Sequence, residues 1–166
     1  KTSLKKLAVS FPCKGANPRA VAALRNADAI IVGPGNFYAS ILPHFLVPNI
    51  RRAFAASHAK KIYVANLFTQ RGHTDGFSVS DFLGILEHYA GVDIFTHVIY
   101  HTDTVSRTPH ESVRPPAEIR KGVVYLGARI ISAMPKTISI SDPLASRRNR
   151  FVHDSDALAR IIMTCL

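Results

Sequence analysis

Apolar and polar positions along this chain switch repeatedly between a period of two and a period near 3.6, the signatures of strand and helix. Residues 4–11 read as a strand entered from a lysine-rich edge. Asn17-Pro18 opens a helix, Asn as the cap and Pro at the first turn, and Val21, Leu24 and Ala27 supply its apolar stripe. Ala29-Ile30-Ile31-Val32 is a β-branched run with no polar alternation, which predicts a strand buried on both faces. Residues 40–45 and 49–57 are helix-compatible, with Pro43 and Pro48 marking a broken or restarted helix. Residues 61–67 predict the next strand. Ser78 and Asp81 have capping-box spacing before a helix carrying Val79, Phe82, Leu83, Ile85, Leu86 and Tyr89, with Gly91 to end it.

Residues 93–101 return as a strand, which completes strand–helix–strand–helix–strand–helix–strand. That order predicts an α/β fold, a mostly parallel sheet with helices on both faces. Beyond Thr102 the pattern weakens. Thr108-Pro109 and Arg114-Pro115-Pro116 mark loops, residues 123–126 and 137–140 are short strand candidates, and residues 154–166 form an amphipathic helix with Leu158, Ile161 and Ile162 on one side.

Composition limits the classes. At 166 residues and 47% hydrophobic content the chain suits one globular domain, residues 1–166, with a sizeable core. No apolar run approaches the ~20 residues of a membrane helix. Cys13 and Cys165 stand far apart and make neither a disulfide framework nor a metal knuckle, so a reducing, cytoplasmic setting is expected. The formal net charge of +10 favours anionic partners. Its Lys and Arg residues are scattered, with Arg147-Arg148-Asn149-Arg150 the one cluster, so a solvated basic surface is preferred to a nucleic-acid interface.

Two glycine-bearing loops carry the candidate chemistry. Gly33-Pro34-Gly35-Asn36 follows the second strand and leads into Phe37-Tyr38-Ala39-Ser40. Ligands of open α/β sheets bind beyond the carboxyl ends of strands, and glycines there admit a ligand to the backbone. The loop from Asn66 to Gly76 leaves the next strand, and parallel pairing brings it to the same edge with Asn66, Thr69, Gln70, Gly72 and Thr74. The competing reading is that both are plain turns, and for Tyr38 that it is a buried aromatic at a helix entry rather than a stacking platform. His97 and His101 share a strand face but sit about 13 Å apart, at ~3.3 Å per residue, too far for one metal. His101 with Asp103, and His153 with Asp154, have no recognised ligand spacing, so no metal site is expected here. Ser40 has no evident base, so no catalytic residue is named.

Residues 33–43 resemble the Gly-Pro-Gly-Ser-x-Tyr-Thr-Ser-x-x-Pro stretch of the gluconeogenesis factor family, within the CofD-like superfamily of 2-phospho-L-lactate transferase. Asn66 with residues 69–77 is similar to that family's Asn-x-x-Thr-Gln-Pro-Gly-Glu-Thr-x-Gly-Tyr. Ala27-Asp28, Ser80-Asp81 and His153-Asp154 fall in family order as well. The resemblance implies a Rossmann-like three-layer sandwich. It also implies that family members are roughly twice as long. They open with a Gly-Gly-Gly-Thr-Gly phosphate turn and an Asp-containing, metal-linked segment that this sequence does not show. The chain thus reads as the carboxyl-terminal portion of a longer domain, with strands missing from its sheet and an N-terminal half as partner.

The leading function implied by the resemblance is a cytoplasmic nucleotide-sugar (UDP-sugar) binding regulator, linked to carbon metabolism, cell-wall precursor supply and cell shape. Gly33, Pro34, Gly35, Asn36, Tyr38 and Ser40 would line the phosphate or sugar end, with Asn66, Thr69, Gln70, Gly72 and Thr74 as the opposing wall. The alternative is an enzyme that moves a phospholactyl-type group from a nucleotide donor to a deazaflavin alcohol with Mg²⁺, whose carboxylates would lie outside this chain. A basic nucleic-acid module rests on net charge only. Homo-oligomerisation or docking would cover an exposed sheet edge. Departures at Asn36, Ala39, His44-Phe45, Arg71 and His73 from the family's Ser, Thr, Asn-Leu, Pro and Glu bear on the ligand rather than the fold.

Overall fold

The computed structural model describes residues 7–8, 15–105, 110–133 and 151–166. Four parallel strands form one sheet in sequence order: β1 (Ala29–Val32), β2 (Lys60–Val64), β3 (His97–His101) and β4 (Val124–Ala128). The register aligns Ile31 with Ile62, Tyr63 with Val98, and Ile99 with Leu126. Helices α1 (Pro18–Asn26), α2 (Leu42–Phe45), α3 (Pro48–Ala56) and α4 (Val79–Ala90) lie on one face, and α5 (Ser155–Thr164) lies on the other. The expected α/β, Rossmann-like layering is therefore present, and every pairing among the described strands is parallel.

Strand alternation sorts the core. Tyr63 and Val98 point into the larger cluster with Phe37, Phe54, Phe82, Leu83 and Phe95. Ile62, Val64 and Ile99 point the other way, against Leu158, Ile161 and Ile162 of α5. β2 and β3 are covered on both faces, with Ile62, Tyr63 and Val64 of the one and Val98 and Ile99 of the other fully buried. β1 differs from its expectation. It pairs with β2 alone among the described residues, and Ile31 is 48% exposed. A continuous apolar run predicts two covered faces, but an edge strand gains only the cover its neighbours supply.

The caps behave as local chemistry dictates. Asn17 accepts from the Arg19 N–H, and Ser78 and Asp81 close a complete capping box on α4. Asp154 caps α5 by accepting from the Ala157 N–H. Boundaries shift elsewhere. The strand expected over 61–67 runs from Lys60 to Val64, and that over 123–126 from Val124 to Ala128. The strand expected from residue 93 begins at His97, because Gly91 (φ 134°) and Asp93 (φ 53°) first turn the chain. The helix expected over 40–45 is a π-helical turn, Phe37–Ile41, followed by α2. The strand candidate at 137–140 lies outside the described residues. So does that at 4–11 except for Leu7 and Ala8, which are in no strand.

Candidate functional site

β1 runs into Gly33, whose φ of 85° falls in the left-handed region. A Cβ there would also sit 2.7 Å from the Val64 carbonyl of β2, so the fold itself requires this glycine. Gly35 is different. Its φ is not left-handed, and a Cβ would meet only Ile41 and Ser40 side-chain atoms at 3.6–3.9 Å, ordinary contact. Nothing in the protein's own packing forbids a side chain at Gly35.

Asn36 caps the π-helical turn by accepting from the Ala39 N–H at 2.9 Å. Ile41 then donates to the Asn36 carbonyl and Leu42 to the Phe37 carbonyl, five residues back in each case. This wider turn precedes Pro43, which has no N–H to offer Ala39 and enters α2 within its first turn, where none is needed. Such π-turns recur at functional sites. Here it buries Phe37, Tyr38 and Ile41 and leaves Ser40 exposed beside the glycine turn.

The second loop reaches this turn through two hydrogen bonds. Asn66 Nδ2 donates to the Gly35 carbonyl at 2.9 Å, and Asn36 Nδ2 donates to Gln70 Oε1 at 3.1 Å. The loops consequently touch and form one continuous wall along the sheet rim rather than two facing walls. Asn66 Oδ1 is buried with no partner among the described residues. Thr74 is 2% exposed, and its Oγ1 accepts from the Gln70 N–H at 2.7 Å, so it shapes the loop. Thr69, also buried, donates from its N–H to the Glu111 carbonyl. Gly72 (φ 82°) donates to Asp75 and faces open space.

Tyr38 is 7% exposed, its ring set edge-on to Phe37 and His73, and its hydroxyl has no hydrogen-bond partner among the described residues. Burial first, then the Tyr89 hydroxyl, pushes its pKa upward. The ring is a core element and offers no open face. Of the residues nominated from the sequence, Pro34, Asn36, Ser40, Gln70 and Gly72 thus present outward or half-exposed surface with Gly33 and Gly35, while Tyr38, Thr69 and Thr74 lie beneath.

Two residues that sequence reasoning missed hold this wall. Glu111 accepts from the Gly76 N–H at 2.9 Å and from Thr69 Oγ1 at 3.4 Å, and Arg114 donates to the Gly76 carbonyl. Both lie 35 or more residues from Gly76 in a segment legible only as loop. A cavity of about 470 Å³ adjoins the turn, lined by Gly33, Pro34, Gly35 and Ser40 and by apolar residues including Leu24, Ile30 and Phe54. Across the rim, His153 Nε2 donates to the Ala65 carbonyl at 3.2 Å, which pins the start of α5 to the end of β2. Among the described residues no group of three or more His, Cys, Asp or Glu is placed to hold a metal ion.

The profile of the 2-phospho-L-lactate transferase CofD family matches residues 1–132. A gluconeogenesis factor from Halalkalibacterium halodurans is 43% identical over 86 residues, 52% of this chain and 27% of that protein. Putative gluconeogenesis factors from Nostoc sp. and Thermotoga maritima are 32% and 37% identical over 93% and 87% of this chain, covering 35% and 46% of their own lengths. A crystal structure of a Bacillus halodurans protein superposes with a TM-score of 0.81 at 26% identity, over 97% of this chain and 51% of that one. A second Bacillus halodurans structure, described as a UPF0052 family member, gives 0.78. The chain thus spans between 27% and 51% of the length of these relatives.

Proposed function

This chain belongs to the CofD family, and from that premise we propose that its rim forms part of the binding site of a nucleotide-sugar, in a regulatory rather than a catalytic protein. The observation that carries the proposal is the turn at Gly35, a position where the fold tolerates a side chain and has none, on a wall fixed by the Asn66 and Asn36 hydrogen bonds. An open backbone at the carboxyl end of a parallel strand is where phosphate or sugar oxygens approach most closely. Asn36 Nδ2 donates to Gln70 Oε1 while Asn36 Oδ1 caps the turn, which leaves the Gln70 amide nitrogen as the donor to offer a ligand hydroxyl.

The regulatory reading draws on the relatives named gluconeogenesis factor, of which those from Nostoc sp. and Thermotoga maritima align over most of this chain. It places the protein in the control of carbon flow, cell-wall precursor supply and cell shape. The transferase reading draws on the family's name, and the metal-binding carboxylates it requires are expected outside this chain.

Thermal denaturation with UDP-N-acetylglucosamine separates the two. A ligand that binds the native state at ~100 times its Kd raises stability by about 2.7 kcal/mol, or about 5 °C or more in Tm at this size. That rise, with no turnover of a lactyl-nucleotide donor, is expected. No shift with any UDP-sugar would sink the proposal, and turnover would favour the transferase.

A further inference from the structure

The same rim carries a second cluster that the glycine turn does not use. At the carboxyl ends of β3 and β4 a cavity of about 240 Å³ is lined by His101, Asp103, Val105, Arg129, Ile131 and Phe151, among others. His101 is 8% exposed. The Ile130 N–H donates to its Nδ1 at 3.2 Å, so that nitrogen carries the lone pair and the ring proton sits on Nε2. Burial holds the imidazole neutral against the opposing pull of Asp103 and the Ala128 carbonyl. Nε2 is itself buried and has no hydrogen-bond partner among the described residues. A buried N–H without an acceptor is rare, because the protein loses water's hydrogen bond and gains nothing in exchange.

The charges around it define what would suit that donor. Asp103 Oδ2 lies 3.7 Å from Arg129 Nε, so among the described lining residues the formal charges balance. An anion would face the Asp103 carboxylate, whereas a hydroxyl accepts from an N–H and donates to a carboxylate. Phe151, Ile131 and Val105 add the apolar surface on which the C–H face of a ring packs. The volume falls below the ~300–1,000 Å³ of whole-ligand pockets and suits one ring-sized group.

The cluster is joined to the first site. Ile131 bridges to His153, His153 donates to the Ala65 carbonyl, and Asn66, the next residue, holds the Gly35 carbonyl. The ends of β1 and β3 are two strand spacings apart, about 10 Å, within the span of a nucleotide-sugar. We propose that this cavity takes a neutral, hydroxyl-bearing ring of pyranose size, with His101 Nε2–H donating to one of its hydroxyl oxygens. The inference rests on the nucleotide-sugar reading and adds to it the seat of the sugar.

The test follows the imidazole ¹H–¹⁵N resonances of His101 and the amides of Gly33, Gly35 and Asn66 in the whole protein. Assignment uses the loss of the ring signals in His101→Gln. Free N-acetylglucosamine, UDP and UDP-N-acetylglucosamine are titrated separately. Both sugar-bearing ligands should shift the His101 Nε2–H and slow its exchange with water, and UDP alone should leave it in place. His101→Leu should lose at least fivefold of the preference for UDP-sugar over UDP, and His101→Gln, which keeps an N–H, should lose less. A His101 resonance unmoved by either sugar-bearing ligand, or moved equally by UDP, overturns the inference. Unmoved glycine-turn amides with a shifted His101 would instead overturn the nucleotide reading of the first site.

Discussion

Asn36 shows how one side chain serves both a helix and a loop. Its Oδ1 caps the π-helical turn while its Nδ2 reaches Gln70. The family's usual Ser can supply the cap but is too short to offer the second bond in the same way. Asn36→Ala should therefore cost about 1 kcal/mol, and Asn36→Ser only a few tenths, since the Gln70 bond is exposed. Urea denaturation checks this, and equal losses in the two variants would show that the cap is not what matters. The cap is not read from the sequence, which places the helix start at residue 40 and Asn36 in the glycine turn, although the bond spans only three residues. The partnership with Gln70, 34 positions away, is beyond any local reading.

Elements follow the same division. Helix α5 is read from its apolar side and its cap at Asp154 is not named, while the start of α1 at Asn17-Pro18 and the capping box of α4 were readable, since each depends on residues within one turn. The exposed face of β1 was not, since what covers Ile31 is decided by the neighbour of the strand and not by its own composition. Nor was the way the segment near residues 111–120 anchors the second loop and α4. Arg120 there pairs with Glu87 of α4, which is 3% exposed. Arg120→Met should strand the carboxylate and cost about 3 kcal/mol, whereas Arg120→Met with Glu87→Leu should recover most of the loss. If the double variant is no more stable than the single one, the pair is not the anchor.

At the scale of the whole molecule, the net charge of +10 reads as a surface property, and the candidate site owes its character to polar uncharged groups at one sheet rim. The fold class and the meeting of the two loops at one rim were legible, because parallel strands put their carboxyl ends together. The second cavity was not, since His101 and Phe151 come together only when α5 returns to the sheet. The buried histidines set the response to acid. Burial lowers the pKa of His101 and of His153, the latter against the Ala65 carbonyl and with the charge of His101. A depressed histidine pKa means that the unfolded chain takes up protons first. Stability is then full above about pH 6.5 and falls as the pH drops below it, by at most ~1.4 kcal/mol per pH unit for each histidine. Tm measured from pH 8 to 5 should be flat and then fall, and His153→Gln should flatten the fall. A Tm that rises on acidification would contradict it.

The central claim is that the rim at the Gly33–Asn36 turn binds a nucleotide-sugar through its open backbone. Gly35→Ala tests it most directly, because a Cβ there meets no protein atom closer than 3.6 Å and φ is not left-handed. Calorimetric titration of UDP-N-acetylglucosamine into the wild-type and Gly35→Ala proteins should show one site in the former and affinity lower by roughly tenfold or more, about 1.4 kcal/mol, in the latter, at unchanged Tm. Equal affinity in the two proteins, or no binding to either, would contradict the account.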